Sequence, residues 1–548
     1  KNKSRKLKKK KKINFSSIIC KKLCIFSIKM YPVNFKGSQD IAMMTKKDRA
    51  ERKKRKERNR LATKDRMESC ESLDAIESPQ LSQLLGDQGG LLDEPQSSVS
   101  PKFLRLTWCD NSGILRCRLI IVPREPDQRA RTLQRLIDEG IPITEAIMAV
   151  PVYEATCVPG SGLGCIGGVR LMPVPETFKQ LPWNMDHGVV HAVMKDQITG
   201  QPWELCPRTT LQRGMTALEA VLPGVAVNVG FESEFFLLRR NKEGKLEYTD
   251  RDGYCSSRAI QKHSDILKEI VFCLESLEIE VIQIHTEGSH GQYEVVTGHK
   301  EIIEACDDLL LTRDAISAVA QDHGMVACFL PKYDLNQAGN GTHAHMSLWV
   351  DGENLVERTT GLSDFNPTFD PVVEGFCAGI LEHLPSLLCI STPSPNSFHR
   401  FKDHQWAGAM KCWGIDNREA PLRIPFPAVD SAPTNFEIKA MDATACPYLA
   451  MAGFLAAGAN GISQGMKLPA ACQTDPSELE NAESLGITNF PKSVCESLEI
   501  LRAEEGNPVR NVLGEKLFQA ISAVRQAEAA HFKDKSFESE IEILHDKF

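Results

Sequence analysis

The chain has 548 residues, 42% hydrophobic and 25% charged, with a net charge of −7. That is about three to four times a usual domain length, which excludes a single small core, and no run approaches the roughly 20 uninterrupted apolar residues of a bilayer span. The small net charge conceals two unlike parts: residues 1–66 carry 25 Lys and Arg against 5 Asp and Glu, and the remainder carries 40 against 67.

The basic leader, residues 1–66, reads as a solvated, disordered tail. Its Lys8–Lys12 run and Arg49–Arg66 block also suit a nuclear or organelle address, or contact with anionic lipid or nucleic acid. Residues 67–100, rich in Ser, Gln, Gly, Pro and acid, read as a linker or weak helix. The 18 cysteines are scattered without a CxxC pair, which fits a reducing compartment, the cytoplasm, better than secretion.

From Phe103 apolar and polar residues alternate around a turn at Asp110–Gly113, predicting a hairpin. A helix at Arg129–Glu139, irregular Gly/Pro-rich sequence over Val158–Pro182 and a strand pair within His187–Trp203 complete a small α+β unit, residues 101–205. The larger unit, residues 206–548, interleaves predicted strands (Val225–Leu238, Glu280–Ile284, Gln292–Val296, Met325–Pro331, Thr342–Trp349, Asn435–Ala440) with helices (Arg258–Leu277, Lys300–Gln321, Asp370–Leu384, Tyr448–Gly461, Gly514–Ala530). Helices between mostly antiparallel strands argue for an α+β fold.

Four of these segments carry acid or His where a core strand should be apolar. Glu232 and Glu234 stand at i and i+2, so both carboxylates leave one face of their strand. Glu287 and Glu294 flank a Gly-containing turn. His343 and His345 repeat the i, i+2 spacing, with Ser347 beyond, and Glu437 precedes Lys439 on a fourth strand. Alone, a Glu-x-Glu is usually a solvated face and a His-x-His a satisfied core pair. Converging, five Glu and one His suit hard divalent ions, Mg²⁺ or Mn²⁺, rather than structural zinc. Arg400, Arg418 and Arg423, with Lys332 after a strand, add cations suited to carboxylate and phosphate oxygens. The combination describes phosphoryl transfer from a nucleotide without a glycine phosphate loop of the Walker or Rossmann kind.

As a set and in this order, over roughly residues 103–548, these motifs resemble the glutamine synthetase family, closest to its FluG/nodulin-type members through CWGIDNREAPLR, TNFEIKAMD and GQYE. The resemblance implies a small N-terminal β-grasp domain, then a large catalytic domain with a curved antiparallel sheet and flanking helices, assembled into homo-oligomeric rings with active sites between neighbouring subunits. It implies ATP-dependent ligation, in which glutamate is phosphorylated on its γ-carboxylate and ammonia attacks the acyl phosphate. Glu232, Glu234, Glu287, Glu294, His343 and Glu437 match the ligands of two divalent ions; Gly339, Arg400 and Lys439 match glutamate contacts; Lys332, His345, Ser347, Arg418 and Arg423 match the nucleotide and phosphate side, and Arg400 and Arg418 are the expected catalytic cations.

Departures from the family pattern point to the nucleophile. Trp406 stands where a flap Glu helps deprotonate ammonium, Pro159 where an Asp binds it, Lys439 where Arg grips glutamate, and Ala338 where Asn precedes the glutamate-binding Gly. Both missing carboxylates serve ammonia, so the expected activity is ligation of glutamate to ammonia or, better suited to Trp406, to an organic amine. The alternative is a catalytically impaired scaffold or developmental regulatory protein.

Overall fold

Leu104 and Leu106 alternate with less buried neighbours along β1 (Phe103–Cys109), which pairs antiparallel with β2 (Leu115–Ile121) through the expected turn. The Asp110 carboxylate closes that turn, accepting the N–H groups of Ser112 (2.9 Å) and Ile114 (3.0 Å). Gly113, at φ +73°, lets it press on the Thr444 backbone: an added Cβ would lie 2.1 Å from the Thr444 oxygen. The computed structural model describes residues 101–362, 367–426 and 431–548, within a unit spanning Pro79–Phe548; the basic leader (1–66) and linker (67–100) lie outside the described residues.

Helix α1 (Pro126–Glu139) leads into β3 (Ile141–Thr144), β4 (Gly168–Pro173), β5 (Lys179–Gln180) and β6 (His187–Asp196). The sheet order is β2-β1-β6-β4-β3, with β6 parallel to β1 and antiparallel to β4 and β5. Two expectations are corrected. The Gly/Pro-rich stretch contains β4, whose six residues alternate in burial. The expected strand pair within His187–Trp203 is one strand followed by a turn, and its return makes a single bridge, Lys195–Pro202. Proline lacks the N–H that would extend the ladder.

After α2 (Pro207–Glu219), the second sheet is built on β7 (Val225–Arg240). Its 16 residues pair antiparallel with β8 (Leu246–Tyr248), β10 (Gln292–Thr297), β11 (Lys300–Glu301), β12 (Val326–Cys328) and β13 (Thr342–Val350) at successive positions. Helices α3 (Ser257–Lys262) and α4 (Ser264–Ser276) precede β9 (Val281–Thr286); the single helix expected there is interrupted at His263. Helix α5 (Ile302–Asp322) returns to β12, and β14 (Glu353–Asn354) pairs with β13. The outer strands are β16 (Trp413–Ile415), β17 (Leu422–Ile424) and β18 (Phe436–Ile438), giving β16-β17-β18-β13-β7-β10-β9, a curled half-barrel; β15 (Met410–Lys411) pairs with β19 (Thr488–Asn489) outside it.

Helices α6 (Pro371–Ser391) and α7 (Pro447–Gln464) are apolar and buried along most of their length, the pattern of core helices. α6 is long and apolar enough to cross a bilayer but lies in the protein interior. The two helices meet through small residues: a Cβ on Gly379 would stand 2.2 Å from the Ala457 oxygen and 2.8 Å from the Gly461 Cα. Helices α8 (Val494–Ala503), α9 (Pro508–Leu513), α10 (Glu515–Phe532) and α11 (Phe537–Leu544) close the chain. On α10, Glu528 pairs with Arg525 (2.6 Å) and accepts the Ser112 hydroxyl and the Val152 N–H (both 2.9 Å), tying the chain end to the first sheet. The described cysteines are free thiols.

Candidate functional site

Strand register assembles the site. On β7, Glu232 lies opposite His343 of β13 and Glu234 opposite Glu294 of β10; Glu294 is opposite His285 of β9, and Glu437 of β18 is opposite both His345 of β13 and Arg423 of β17. Each is a cross-strand neighbour on one face of the curled sheet. Glu287 follows β9 directly and turns back so that one carboxylate oxygen lies 2.8 Å from His285 Nε2.

Glu232, Glu234, His285, Glu287, Glu294, His343 and Glu437 line a cleft of about 330 Å³ with Gly339, Arg400, Trp406, Arg418, Arg423 and Lys439. His343 Nδ1 is 2.9 Å from Glu232 and Nε2 is 3.4 Å from Glu234; His345 Nε2 is 3.0 Å from Glu232. Arg400 is buried and donates to the carbonyls of Lys439 (2.9 Å) and Met441 (3.2 Å). Gly339 admits no side chain, since a Cβ would lie 2.1 Å from the Pro331 oxygen. Lys439 Nζ is 3.3 Å from Glu437, which also contacts Arg423.

Four residues singled out in the sequence do not line the cleft. His345 stands behind Glu232, its Nδ1 2.8 Å from Asn435 Oδ1. Ser347 is buried farther along β13, accepting the Trp349 indole N–H at 2.9 Å. Lys332 is buried and directs its ammonium to the Gln337 carbonyl and the Gln405 side chain. Pro159 lies on an exposed loop beside α10 and lines a separate surface hollow.

The cleft also contains residues that sequence reasoning passed over. Tyr254, in the loop before α3, packs edge-to-face on both Trp406 (5.7 Å between centroids) and His285 (5.9 Å). Gln292 donates to Glu234 (3.1 Å) and to the Gly339 carbonyl (3.0 Å). Gln292 and His285 lie inside segments already marked by their carboxylates, whereas Tyr254 lies in a loop without periodic pattern and had no signal. The Trp406 backbone is left-handed (φ 54°), as are His404 (φ 59°) and Gly408 (φ 69°), and its N–H donates to Glu419 at 3.0 Å.

The electrostatics divide the carboxylates. Burial pushes the Glu234 carboxyl above its usual range, and burial followed by repulsion from Glu232 and Glu234 pushes Glu294 well above. Burial also opposes ionisation of Glu437 and Glu232, but is outweighed. Lys439 and Arg423 bring Glu437 down to about 2, and hydrogen bonds from His343 and His345 hold Glu232 well below the ordinary value.

A divalent cation fits these donors. Three sets of ligand atoms each lie within 4.8 Å of one another: Glu232–His345–Glu437, Glu232–Glu294–His343 and His285–Glu287–Glu294. Glu234 and Glu294 face each other as buried like charges, which a bound cation would relieve.

Comparison with known proteins agrees with this arrangement. The glutamine synthetase catalytic domain model matches residues 204–544. Type-1 glutamine synthetase 1 of Dictyostelium discoideum is 29% identical over 463 residues, 80% of this chain and 88% of its own. A γ-glutamylpolyamine synthetase of Streptomyces coelicolor is 34% identical over 342 residues, 61% of this chain and 72% of its own. A solved structure of a novel glutamine synthase homolog superposes with a TM-score of 0.70 at 26% identity, covering 83% of this chain and all of that one. With its catalytic-domain match spanning well over half of its length, the chain belongs to the glutamine synthetase family of ATP-dependent ligases.

Proposed function

We propose that the chain joins the γ-carboxylate of glutamate to an organic amine at the expense of ATP, in preference to ammonia. The observation that carries this reading is a full carboxylate–histidine cluster opening onto an aromatic mouth, Trp406 and Tyr254, in place of acid. Relatives of the chain include a γ-glutamylpolyamine synthetase, a ligase named for an amine with a carbon skeleton.

Enzymes of this family use ATP and divalent ions; Glu232, Glu234, Glu287, Glu294, His343 and Glu437 would hold such ions, which when bound would supply positive charge against the phosphoryl group in transfer. Arg400, Lys439 and the Gly339 backbone receive glutamate, and Arg418 and Arg423 meet its new acyl phosphate and the nucleotide. A γ-carboxylate oxygen attacks the terminal phosphorus and ADP leaves. The amine loses a proton, its nitrogen attacks the γ-carbon, the carbon–oxygen bond to phosphate breaks, and a second proton leaves as the amide forms. Ammonia needs anions to capture it and take its proton. Trp406 and Tyr254 offer instead apolar surface to the carbon chain and ring faces to an arriving ammonium. In the homo-oligomeric ring proposed for the chain, the Pro159 loop serves a neighbouring copy, because it does not line its own cleft.

Phosphate release with glutamate, ATP and Mn²⁺ tests the reading. Release with primary amines but not ammonium supports it; release with ammonium alone, or with neither, overturns it. Trp406→Glu should shift the ratio toward ammonium, by about tenfold or more if the side chain recovers part of a general base's contribution.

A further inference from the structure

The structure assigns Lys332 the role of a positioning residue: its ammonium ties the loop that ends in Gly339 to the loop that carries Trp406, and so holds the indole over the cleft. The inference rests on the amine-ligase reading for its kinetic consequence, though not for its geometry.

Lys332 is anchored at its base. Its backbone N–H donates to Asn396 Oδ1 (2.7 Å) and its carbonyl accepts from Asn396 Nδ2 (3.1 Å), and Asn396 also donates to Glu540 of α11 (2.7 Å). From this rigid base the side chain, fully buried, reaches the Gln337 carbonyl, two residues before Gly339, and the Gln405 side-chain oxygen, one residue before Trp406. A second lysine spans the same gap: Lys402 Nζ donates to the Leu335 carbonyl at 3.2 Å. The fastened segment needs fastening, since His404 and Trp406 both hold left-handed backbone that non-glycine residues adopt at a cost.

The charge on Lys332 has hydrogen-bond acceptors but no ion-pair partner. Among the described residues no carboxylate lies within ion-pair distance of it, whereas the nearby Arg400 pairs with backbone carbonyls and Lys402 is exposed. Burial, then the fields of Lys402 and Arg400, outweighs the field of Asp334 and brings its pKa down to about 8. A buried cation held only by an amide and a carbonyl oxygen is a poor choice for stability, and an apolar side chain would fill the space at lower cost. What the ammonium provides is two donors in fixed directions, and both acceptors lead to walls of the cleft.

The test uses the full chain carrying Lys332→Met, Gln405→Ala, or both. Phosphate release is followed with glutamate, ATP and Mn²⁺, using butylamine as the amine, and acrylamide quenching is read as the difference from a matched Trp406→Phe variant. Either single substitution should raise the KM for butylamine about tenfold, as expected for loss of a charge-assisted hydrogen bond, and leave the KM for ATP unchanged. Quenching of Trp406 should increase, and the double variant should do no worse than either single one. A raised KM for ATP with Trp406 quenching unchanged overturns the inference and makes Lys332 a nucleotide contact. If the unaltered chain turns over no amine, the ligase reading fails and the quenching comparison still decides the tie; Gln405→Ala, at a half-buried position, covers the case in which Lys332→Met does not fold.

Discussion

Glu294 is the residue on which the site's charge balance turns. Its carboxyl is raised by burial and by its neighbouring carboxylates, so below the unfolded value near 4.5 it is protonated in both states and carries no penalty. As pH rises toward its folded pKa the unfolded chain ionises first, and stability is lost across that interval unless a cation is bound. Glu437 runs the other way: held down to about 2, it contributes stability above the unfolded value and loses it as pH falls toward 2. Mn²⁺ should therefore raise the melting temperature by roughly 2–5 °C at pH 7.5 and by much less at pH 4.5, measured by scanning calorimetry. Glu294→Gln should melt higher than the unaltered chain without metal, lose most of the Mn²⁺ shift, and release no phosphate. Residues of this kind were legible in the sequence because Glu232/Glu234 and His343/His345 keep the two-residue repeat of a strand, which fixes the face before any partner is known. Tyr254 and Gln405 were not legible, because loop residues reach the cleft through backbone turns that leave no periodic trace.

At the scale of elements, β7 and the α6–α7 pair divide the work. β7 was read as a strand from Val225 to Leu238 and runs to Arg240, but the sequence does not say that five other strands pair with it. Short strands such as Trp413–Ile415 and Leu422–Ile424 escaped notice, three residues being too few for a pattern, although they bring Arg423 opposite Glu437. The helix pair rests on backbone contact at Gly379 and Gly461. Gly379→Ala should cost about 3 kcal/mol, because the added methyl meets main-chain atoms that cannot move aside. By contrast, Gly465→Ala, at the exposed left-handed end of α7 with open space around it, should cost only about 1–2 kcal/mol. Urea midpoints of the two variants check the ordering.

For the whole molecule, the first sheet and the chain end are joined by one buried ionic knot. Glu528 neutralises Arg525 and accepts from Ser112 and Val152, so Glu528→Ala strands a buried guanidinium and should destabilise the fold by about 3–5 kcal/mol; Glu528→Gln, which keeps the acceptor oxygen, should cost less. Guanidinium unfolding curves distinguish the two. This joint spans more than 400 residues of sequence, which is why composition and local pattern gave the two sheets but not how the chain end secures the first of them.

The left-handed run at His404, Trp406 and Gly408 has a consequence for specificity. Most of the carboxylate–histidine cluster hangs from ladders that cannot slip by one residue without inverting, whereas the Trp406 indole hangs from a short bend moored by two lysines. On the amine-ligase reading proposed above, a change of amine calls for substitutions around that bend alone, and the carboxylate–histidine cluster stays as it is.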